Sequence, residues 1–384
     1  MNQPATPPTR TISLALQGGG SHGAFTWGVL DALLADRRIA LDGISGASAG
    51  AVNAVALASG HARGLATGVD PRQAARDALA RVWGEVVALG RAGAVSQNLV
   101  NLIWGGFPKE FAPTNMVASA MRNWFSPYQA NPLDINPLRD LLIREVDFPA
   151  IAALQTLRVF VSATHVTTGK AALFSGSRLS AQAVMASACL PMLFRAVEID
   201  GEPYWDGGYS ANPAIMPLVD HCASTDIVLV QINPVLRERT PQTPGDILDR
   251  VSELTFNASL MAQMREIDFI NRLLAQGLLQ GNRCRSVLLH RIDGGAAMQG
   301  YPASSRSSAD AGLIRTLFEM GQASGQQWLK RHFDDLGQRS TIDIRRDYLD
   351  DTRVDSVRRA NSPTPVPRRG LGSLISALFS RRKR

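Results

Sequence analysis

The pentapeptide Gly46-Ala47-Ser48-Ala49-Gly50 constrains the fold of this chain more than any other segment. It has the form G-x-S-x-G, in which the serine occupies a sharp turn between a strand and a helix and holds its hydroxyl out of that turn. The neighbouring residues fit, because 41–45 have the composition of a short buried strand and 49–58 that of a helix. A small-residue turn in a tightly packed α/β protein would look the same, so the pentapeptide does not decide between the two interpretations.

A glycine-rich loop, Gln17-Gly18-Gly19-Gly20-Ser21-His22-Gly23, lies upstream of this pentapeptide. It follows an apolar run of strand length at 12–16 and precedes a helical pattern from 24 to about 34. A strand, a glycine loop and a helix together form a nest of backbone N–H groups at a helix N-terminus. Such a nest can hold a phosphate or an oxyanion.

The spacing Gly18-x-Gly20-x-x-Gly23 also satisfies the dinucleotide-binding fingerprint. That fingerprint expects an acidic residue where the second strand ends. Here Asp42 falls near the start of the second strand, and the serine pentapeptide occupies its end. An oxyanion loop beside the serine turn is therefore the more economical interpretation.

A third motif, Trp205-Asp206-Gly207-Gly208, follows a predicted hairpin with strands at 195–199 and 204–205. The carboxylate of Asp206 would be presented at a strand end, beside two glycines. Asp-Gly is a common turn pair, so this motif by itself predicts only a turn.

Together the three motifs resemble those of one family, the patatin-like phospholipases, which are lipid acyl hydrolases. The resemblance extends over residues 12–212 and includes the segment at 186–191. One departure is His22, because the family usually carries arginine at that position. A histidine there would be only partly charged near neutral pH, and we assign it a role in substrate binding or loop shape.

The resemblance implies a catalytic dyad, with Ser48 as the nucleophile and Asp206 as the proton acceptor. A serine hydroxyl needs a base within hydrogen-bond reach, and partial burial would bring the pKa of an aspartate closer to neutrality. The attacked carbonyl would form an acyl-serine intermediate. The predicted oxyanion donors are Gly18, Gly19, Gly20 and Ala49. The remaining motif glycines are Gly23, Gly46, Gly50, Gly207 and Gly208.

Other chemistry remains open from the residues. A Ser-Asp-His triad would use His290, which ends a strand predicted at 286–289, or less readily His221 or His332. An acyltransferase or a polyester depolymerase would use the same dyad. A different class of protein, one that binds lipid surfaces with weak or no hydrolase activity, is the further alternative. No metal, calcium or organic cofactor is implied.

The order of the predicted elements indicates an α/β fold. Alternating strands and helices favour a mostly parallel central sheet covered by helices on both faces, and the resemblance implies the three-layer patatin-like sandwich. Further strands are predicted at 157–165, 170–174 and 226–232. Further helices are predicted at 71–89, 136–145, 180–188, 244–279 and 308–333. The predicted organisation is a flexible N-terminus at 1–11, a catalytic core at 12–215 with an insert at 90–128, the C-terminal part of the same domain at 216–350, and a tail at 351–384.

The insert and the features that bear on location complete this organisation. The insert at 90–128 is apolar and aromatic, and it would form either a lid or acyl-binding wall, or ordinary core helices. No apolar run reaches the roughly 18 residues of a transmembrane helix, and no signal peptide is visible. Three widely spaced cysteines favour a reducing cytoplasm.

Positive charge is concentrated in the tail. The chain carries 40 Lys and Arg against 33 Asp and Glu, a net charge of +7, and from Arg353 onward there are nine basic residues and one acid. Residues 1–352 are therefore close to neutral. The basic clusters are Arg368, Arg369, Arg381, Arg382, Lys383 and Arg384. Between them one helical stripe would carry Leu371, Leu374, Ile375 and Leu378.

An apolar stripe flanked by cations suits an anionic membrane or lipid surface, which would place the protein peripherally on the inner face of the membrane. A solvated basic tail is the plainer alternative, and a nucleic-acid arm is disfavoured because the tail lacks Tyr and Trp for base stacking.

We expect a chain truncated after Pro367 to lose binding to anionic liposomes, because the truncation removes the basic clusters and the apolar stripe. Each cation near the surface contributes at most about 1 kcal/mol, and salt screens it. Co-sedimentation of the two chains at low and moderate salt measures this. Equal binding by both chains would contradict the membrane role of the tail.

Overall fold

The computed structural model of the chain describes residues 9–91, 128, 136–192, 194–279 and 285–349. These residues form an eight-stranded mixed sheet flanked by helices. The strands are β1 (Arg10–Leu16), β2 (Ile39–Ala47), β3 (Arg158–His165), β4 (Ala171–Ser175), β5 (Val197–Ile199), β6 (Glu202–Asp206), β7 (Asp226–Gln231) and β8 (Leu288–Asp293).

Five of these strands run parallel, in the spatial order β3-β2-β1-β7-β8. The other three strands, β4, β5 and β6, pair antiparallel at the β3 end of the sheet. The predicted α/β class with a mostly parallel sheet is confirmed.

Strands β2, β4 and β6 share the two edges of β3. Strand β2 pairs with residues 158–162 of β3, and β6 pairs with residues 163–165. Strand β4 pairs with residues 160–164, so it must use the opposite edge from both. Strand β6 therefore takes over the same edge of β3 just where β2 stops. Ala47 pairs with Ser162, and Asp206 pairs with the next residue, Ala163.

The helices of the described residues lie on both sides of this sheet. They are α1 (Gly23–Ala35), α2 (Ala49–Thr67), α3 (Pro71–Arg91), α4 (Pro137–Glu145), α5 (Phe148–Ala153), α6 (Ala181–Ser187), α7 (Met216–His221), α8 (Pro244–Ala275), α9 (Gly295–Gln299) and α10 (Ala311–His332). Helix α8 begins as predicted, with Thr243 accepting a hydrogen bond from the Asp246 N–H at 3.2 Å and Pro244 at the first helical position.

Alternate residues of the central strands enter two separate cores. Leu14 and Leu16 of β1 join one core with α1, α2, α3 and α10, whereas Ala15 of the same strand joins a second core with α7 and α8. Val228 and Leu229 of β7 divide in the same way. Because successive side chains of a strand point to opposite faces, both faces of the sheet are covered.

Most predicted elements are present, with shifted ends. The strand predicted at 286–289 is β8, which runs later, so His290 lies inside it and does not end it. Helices α5, α7 and α9 were not predicted. Residues 92–127 of the predicted insert and the whole tail from 351 lie outside the described residues, and the division into domains stays a prediction. Among the described residues, no helix is both long enough and apolar enough to cross a membrane.

Helices α1 and α10 pack against each other through glycines. A Cβ placed on Gly321 of α10 would lie 2.8 Å from the carbonyl carbon of Phe25 in α1. A Cβ on Gly28 of α1 would lie 2.6 Å from the backbone nitrogen of Gln322. The two backbones therefore approach more closely than side chains would permit.

We expect Gly321→Ala to lower the free energy of unfolding by about 1–3 kcal/mol, since the added methyl group overpacks this helix contact. Gly84→Ala in α3 is the matched control, because a Cβ there meets no atom within 4 Å. That change should raise stability by roughly 0.5–1 kcal/mol through helix propensity. Urea denaturation measures both, and a stabilised Gly321→Ala protein would contradict the close packing of α1 and α10.

Candidate active site

Ser48 occupies the single residue between β2 and α2. Its backbone has φ +53° and ψ −122°, a strained conformation for a residue with a side chain, and the residue is 6% exposed. Its N–H donates to the hydroxyl of Ser187, at the end of α6, over 2.8 Å. The strained turn is therefore held from the side by a residue far along the chain.

The glycines around Ser48 permit the turn. A Cβ on Gly46 would lie 2.5 Å from the carbonyl carbon of Gly50, so the strand and the helix meet at these two residues. A Cβ on Gly50 would lie 2.9 Å from the carbonyl oxygen of Gln17. The serine turn thus packs directly on the end of β1, where the glycine loop begins.

The glycine loop contacts the serine itself. A Cβ on Gly18 would lie 2.7 Å from the Cβ of Ser48, so loop backbone passes beside the hydroxyl-bearing side chain. The loop continues through a 3-10 turn at Gly20–His22 into α1. Two helix beginnings, that of this turn and that of α2, therefore lie close to Ser48, and the first N–H groups of a helix have no partner inside it.

Three buried amide side chains hold the glycine loop in place. Gln17 accepts hydrogen bonds from the N–H groups of Ile232 and Asn233, at 3.0 and 2.9 Å, just beyond β7. Asn233 donates to the Gly18 carbonyl at 2.9 Å, and Asn212 accepts from the Gly18 N–H at 2.7 Å. These hydrogen bonds between buried groups hold the loop backbone in place.

These contacts correct one prediction about the oxyanion donors. The Gly18 N–H is already bonded to Asn212, so Gly18 is not free to bind an oxyanion. Gly19, Gly20 and Ala49 are the predicted donors that remain, and they lie at the two helix beginnings beside Ser48.

Asp206 ends β6 and is fully buried, with 0% exposure. Its backbone N–H donates to the Cys189 carbonyl at 2.8 Å, and its backbone carbonyl accepts from the Thr164 hydroxyl at 2.7 Å. One carboxylate oxygen, Oδ1, accepts from the Gly208 N–H at 2.7 Å. The other, Oδ2, makes no hydrogen bond within the described part of the chain. One oxygen of the buried carboxyl is therefore fixed by a hydrogen bond, and the other is left without a partner among these residues.

Burial raises the pKa of Asp206 to about 7, while the Gly208 N–H and the Ser48 hydroxyl act in the opposite direction. The Ser48 hydroxyl is thus close enough to affect this carboxyl, although Oδ2 has no formed hydrogen bond. In hydrolases such contacts often tighten only when the substrate binds. The two residues are brought together because β6 continues the edge of β3 beyond β2.

His22 does not carry the partial charge that was expected of it. It is buried, its Nε2 lies 2.8 Å from the Ser305 hydroxyl, and the Tyr301 ring packs edge-on at 6.0 Å. Burial, together with the cations Arg306 and Arg237, lowers the pKa of His22 to about 3. The ring is therefore neutral near pH 7.

His290 lies away from Ser48, on the opposite side of β1. Its Nε2 lies 2.9 Å from a carboxylate oxygen of Asp226, and its Nδ1 lies 3.2 Å from the Thr341 hydroxyl. His290 lies in the middle of β8, where it pairs with Val228 of β7, and β8 is two strands beyond β1. The described residues therefore do not assemble a triad from Ser48 and His290.

Several residues of the site were missed by sequence reasoning. Ser187, Asn212 and Asn233 each contact the serine turn or the glycine loop, yet none stands in a local motif that marks it as functional. The only signal was that Ser187 and Asn212 fall inside the stretch covered by the family resemblance.

Comparison with known proteins identifies the family of this chain. The model of the patatin-like phospholipases matches residues 14–219, more than half of the chain. The chain belongs to the patatin-like phospholipase family. Membership indicates a hydrolase with a lipid substrate.

Among solved structures, this patatin-like protein is similar to VipD from Legionella pneumophila. The two are 15% identical, with a TM-score of 0.42, over 92% of this chain and 75% of that chain. No curated protein matches the chain.

The raised pKa of Asp206 makes stability depend on pH. Between about pH 4 and 7 the folded protein keeps a proton that the unfolded chain has released, so the free energy of unfolding falls as pH rises. Asp206→Asn removes this penalty. We expect it to be more stable than the wild type at pH 8, by an amount on the order of a few kcal/mol that shrinks toward pH 4.

Urea denaturation of both proteins at several pH values measures this difference. A stability difference that stays constant from pH 4 to 8 would contradict a raised pKa at Asp206.

Proposed function

We propose that the protein is a serine acyl hydrolase that cleaves carboxylic esters of phospholipids or lysophospholipids through an acyl-Ser48 intermediate. One observation carries the proposal. Along one edge of β3, the buried Asp206 lies next to the end of β2, where Ser48 leaves the sheet. Its Oδ2 has no hydrogen-bond partner among the described residues. Family membership supports the class of substrate.

In the first step, ionised Asp206 takes the Ser48 proton as the hydroxyl oxygen attacks the ester carbonyl. Negative charge develops on the carbonyl oxygen, and the N–H groups of Gly19, Gly20 and Ala49 receive it. Each such donor is worth roughly 10²–10³ in rate in other hydrolases. Protonated Asp206 then gives its proton to the departing alcohol, which leaves the acyl group on Ser48.

In the second step, Asp206 takes a proton from water as the water oxygen attacks the acyl-Ser48 carbonyl. Collapse of this intermediate releases the fatty acid and returns the proton to Ser48. An alcohol in place of water would make the enzyme an acyltransferase, and a polyester substrate would make it a depolymerase.

The surroundings of Asp206 suit a base at neutral pH. An aspartate in water has a pKa near 4 and is a weak base, whereas a pKa of about 7 lies close to the working pH. A buried carboxyl of this kind destabilises the fold above neutral pH. A lipid-surface binding protein without hydrolase activity would gain nothing from it, which favours the enzyme.

We expect a fluorophosphonate probe to label the wild type at Ser48 and to leave Ser48→Ala unlabelled, because only an activated serine hydroxyl attacks phosphorus readily. The labelling rate should rise with pH through about 7 as Asp206 ionises. Asp206→Asn should lose at least about 10²-fold in labelling rate, in line with the loss of a general base. Hydrolysis of a panel of phospholipids and neutral esters then identifies the head group.

His290→Ala separates the dyad from a triad. It should keep the labelling rate of the wild type as long as circular dichroism shows a folded protein. Folded wild type that takes up no label at Ser48 would argue for the lipid-binding alternative.

A further inference from the structure

A segment outside the part matched by the family braces the glycine loop. Gly20 has φ +57°, and a Cβ there would lie 3.3 Å from the Cβ of Arg306, in a 3-10 turn at Ala303–Ser307. The Ser305 hydroxyl of the same turn reaches His22 at 2.8 Å. The glycine loop therefore rests on a segment that lies some 280 residues later in the chain.

The chain just before this turn is anchored by an ion pair to the buried Glu253 carboxylate. Arg237 donates to the backbone carbonyls of Gln299 and Tyr301, the latter at 3.2 Å, and to the Glu253 carboxylate at 2.5 and 3.2 Å. Glu253, in α8, is 1% exposed and also accepts from Arg250 at 3.2 Å. Its carboxylate is shared by these two arginines.

Arg306 is a third arginine here, and it is less well satisfied. The residue is 8% exposed, its Nη1 lies 3.4 Å from the Ser252 hydroxyl, and its Nε has no hydrogen-bond partner among the described residues. Its guanidinium lies 6.0 Å from the Phe256 ring centroid. A Cβ on Gly208 would lie 2.6 Å from Phe256, so Arg306 is one side chain removed from the Asp-Gly-Gly motif.

Burying a guanidinium with an unpaired N–H costs free energy that a hydrophobic residue of similar size would not. Burial lowers the pKa of Arg306 to about 10, while the carboxylates of Glu253 and Asp249 act in the opposite direction, so the charge persists at neutral pH. A positive charge is thus held behind the glycine loop at a cost to the fold, which calls for a function.

The neighbouring His22 explains why the charge comes from this segment. Arg306 and Arg237 both disfavour a second charge at position 22. The arginine that the family usually carries there would add another cation beside Arg306 and Arg237. In this chain a neutral side chain occupies the loop, and the cation comes from the bracing segment.

We propose that Arg306 is a positioning residue for acyl transfer, and that it supplies from outside the glycine loop the positive charge that His22 does not carry. Its main chain supports Gly20, and its guanidinium favours negative charge on the side of the site where Gly19 and Gly20 present their N–H groups. This inference rests on the proposed function.

The test compares Arg306→Met, Arg306→Lys and the control Arg250→Met in full-length protein. Arg250 also pairs with Glu253, but it is not among the groups that act on His22. The substrate is p-nitrophenyl butyrate, a neutral soluble ester. Arg306→Met should lose kcat by on the order of 10-fold, with KM within about 2-fold, because the charge acts mainly on the developing oxyanion. Arg306→Lys should recover most of kcat.

Arg250→Met should keep kcat within about 2-fold while lowering the thermal midpoint, since it removes the hydrogen bonds to Glu253 and to the Val235 carbonyl. An equal loss of kcat in Arg250→Met and Arg306→Met would overturn the proposal, because any loosening of the cluster would then have the same effect. An unchanged kcat in folded Arg306→Met would also overturn it.

A charge swap provides the second measurement. His22→Arg should lower the thermal midpoint relative to the wild type, because it adds a cation beside Arg306 and Arg237. The double variant His22→Arg with Arg306→Met should recover part of both the midpoint and kcat. If Arg306→Met does not fold, a folded and active double variant supports the proposal, and failure of both to fold overturns it. Loss of all esterase activity in Ser48→Ala shows that the reaction is the proposed one, so the two ideas fail separately.

Discussion

The arrangement of this protein depends on how two strands share one edge of β3. Strand β2 occupies that edge as far as Ser162, and β6, running the other way, occupies it from Ala163 onward. The C-terminal ends of β2 and β6 therefore lie next to each other inside the sheet. From there β2 leads into α2, and β6 leads into the Gly207–Tyr209 turn. Because both are fixed by backbone pairing, Ser48 and Asp206 are placed by the sheet and not by flexible loops.

The same sheet also holds the glycine loop, the third part of the site, through side-chain hydrogen bonds. Strand β1 lies beside β2, and Gln17 at its end ties the glycine loop to the residues after β7. Asn212 ties the loop to α8 by donating to the Phe256 carbonyl at 3.2 Å. The loop is thus connected to elements on both of its sides, and its N–H groups are fixed before any substrate arrives. Such preorganisation is the main source of transition-state stabilisation in acyl transfer.

Local pattern was sufficient for the parts of the fold that are built locally. The serine turn, the glycine loop and the Asp-Gly-Gly motif each lie within a few consecutive residues, so strand ends and glycine positions were readable from the sequence. The helix start at Thr243-Pro244 was readable for the same reason. The shift of β8 past His290 was not, because residues 286–289 form as good an apolar run as the strand that is present.

The partners of these motifs could not be predicted, because they come from remote segments. Ser187, Asn233 and Arg306 become relevant only through packing across 139, 215 and about 280 residues of chain. A single serine, asparagine or arginine carries no local signal of such a contact. The charge of His22 was mispredicted for the same reason, since its pKa is lowered by burial and then by Arg306 and Arg237, none of which the loop sequence shows.

The placement of charge in the site matches what each half of the proposed reaction needs. Burial raises the pKa of Asp206, and the Gly208 N–H and the Ser48 hydroxyl act in the opposite direction. No cation among the described residues contributes to this shift. A cation beside Asp206 would lower that pKa and weaken the base. In the role proposed for it, Arg306 acts instead on the loop side, where negative charge would develop only in the transition state. Separating the two lets one buried site hold both a strong base and a positive charge without either cancelling the other.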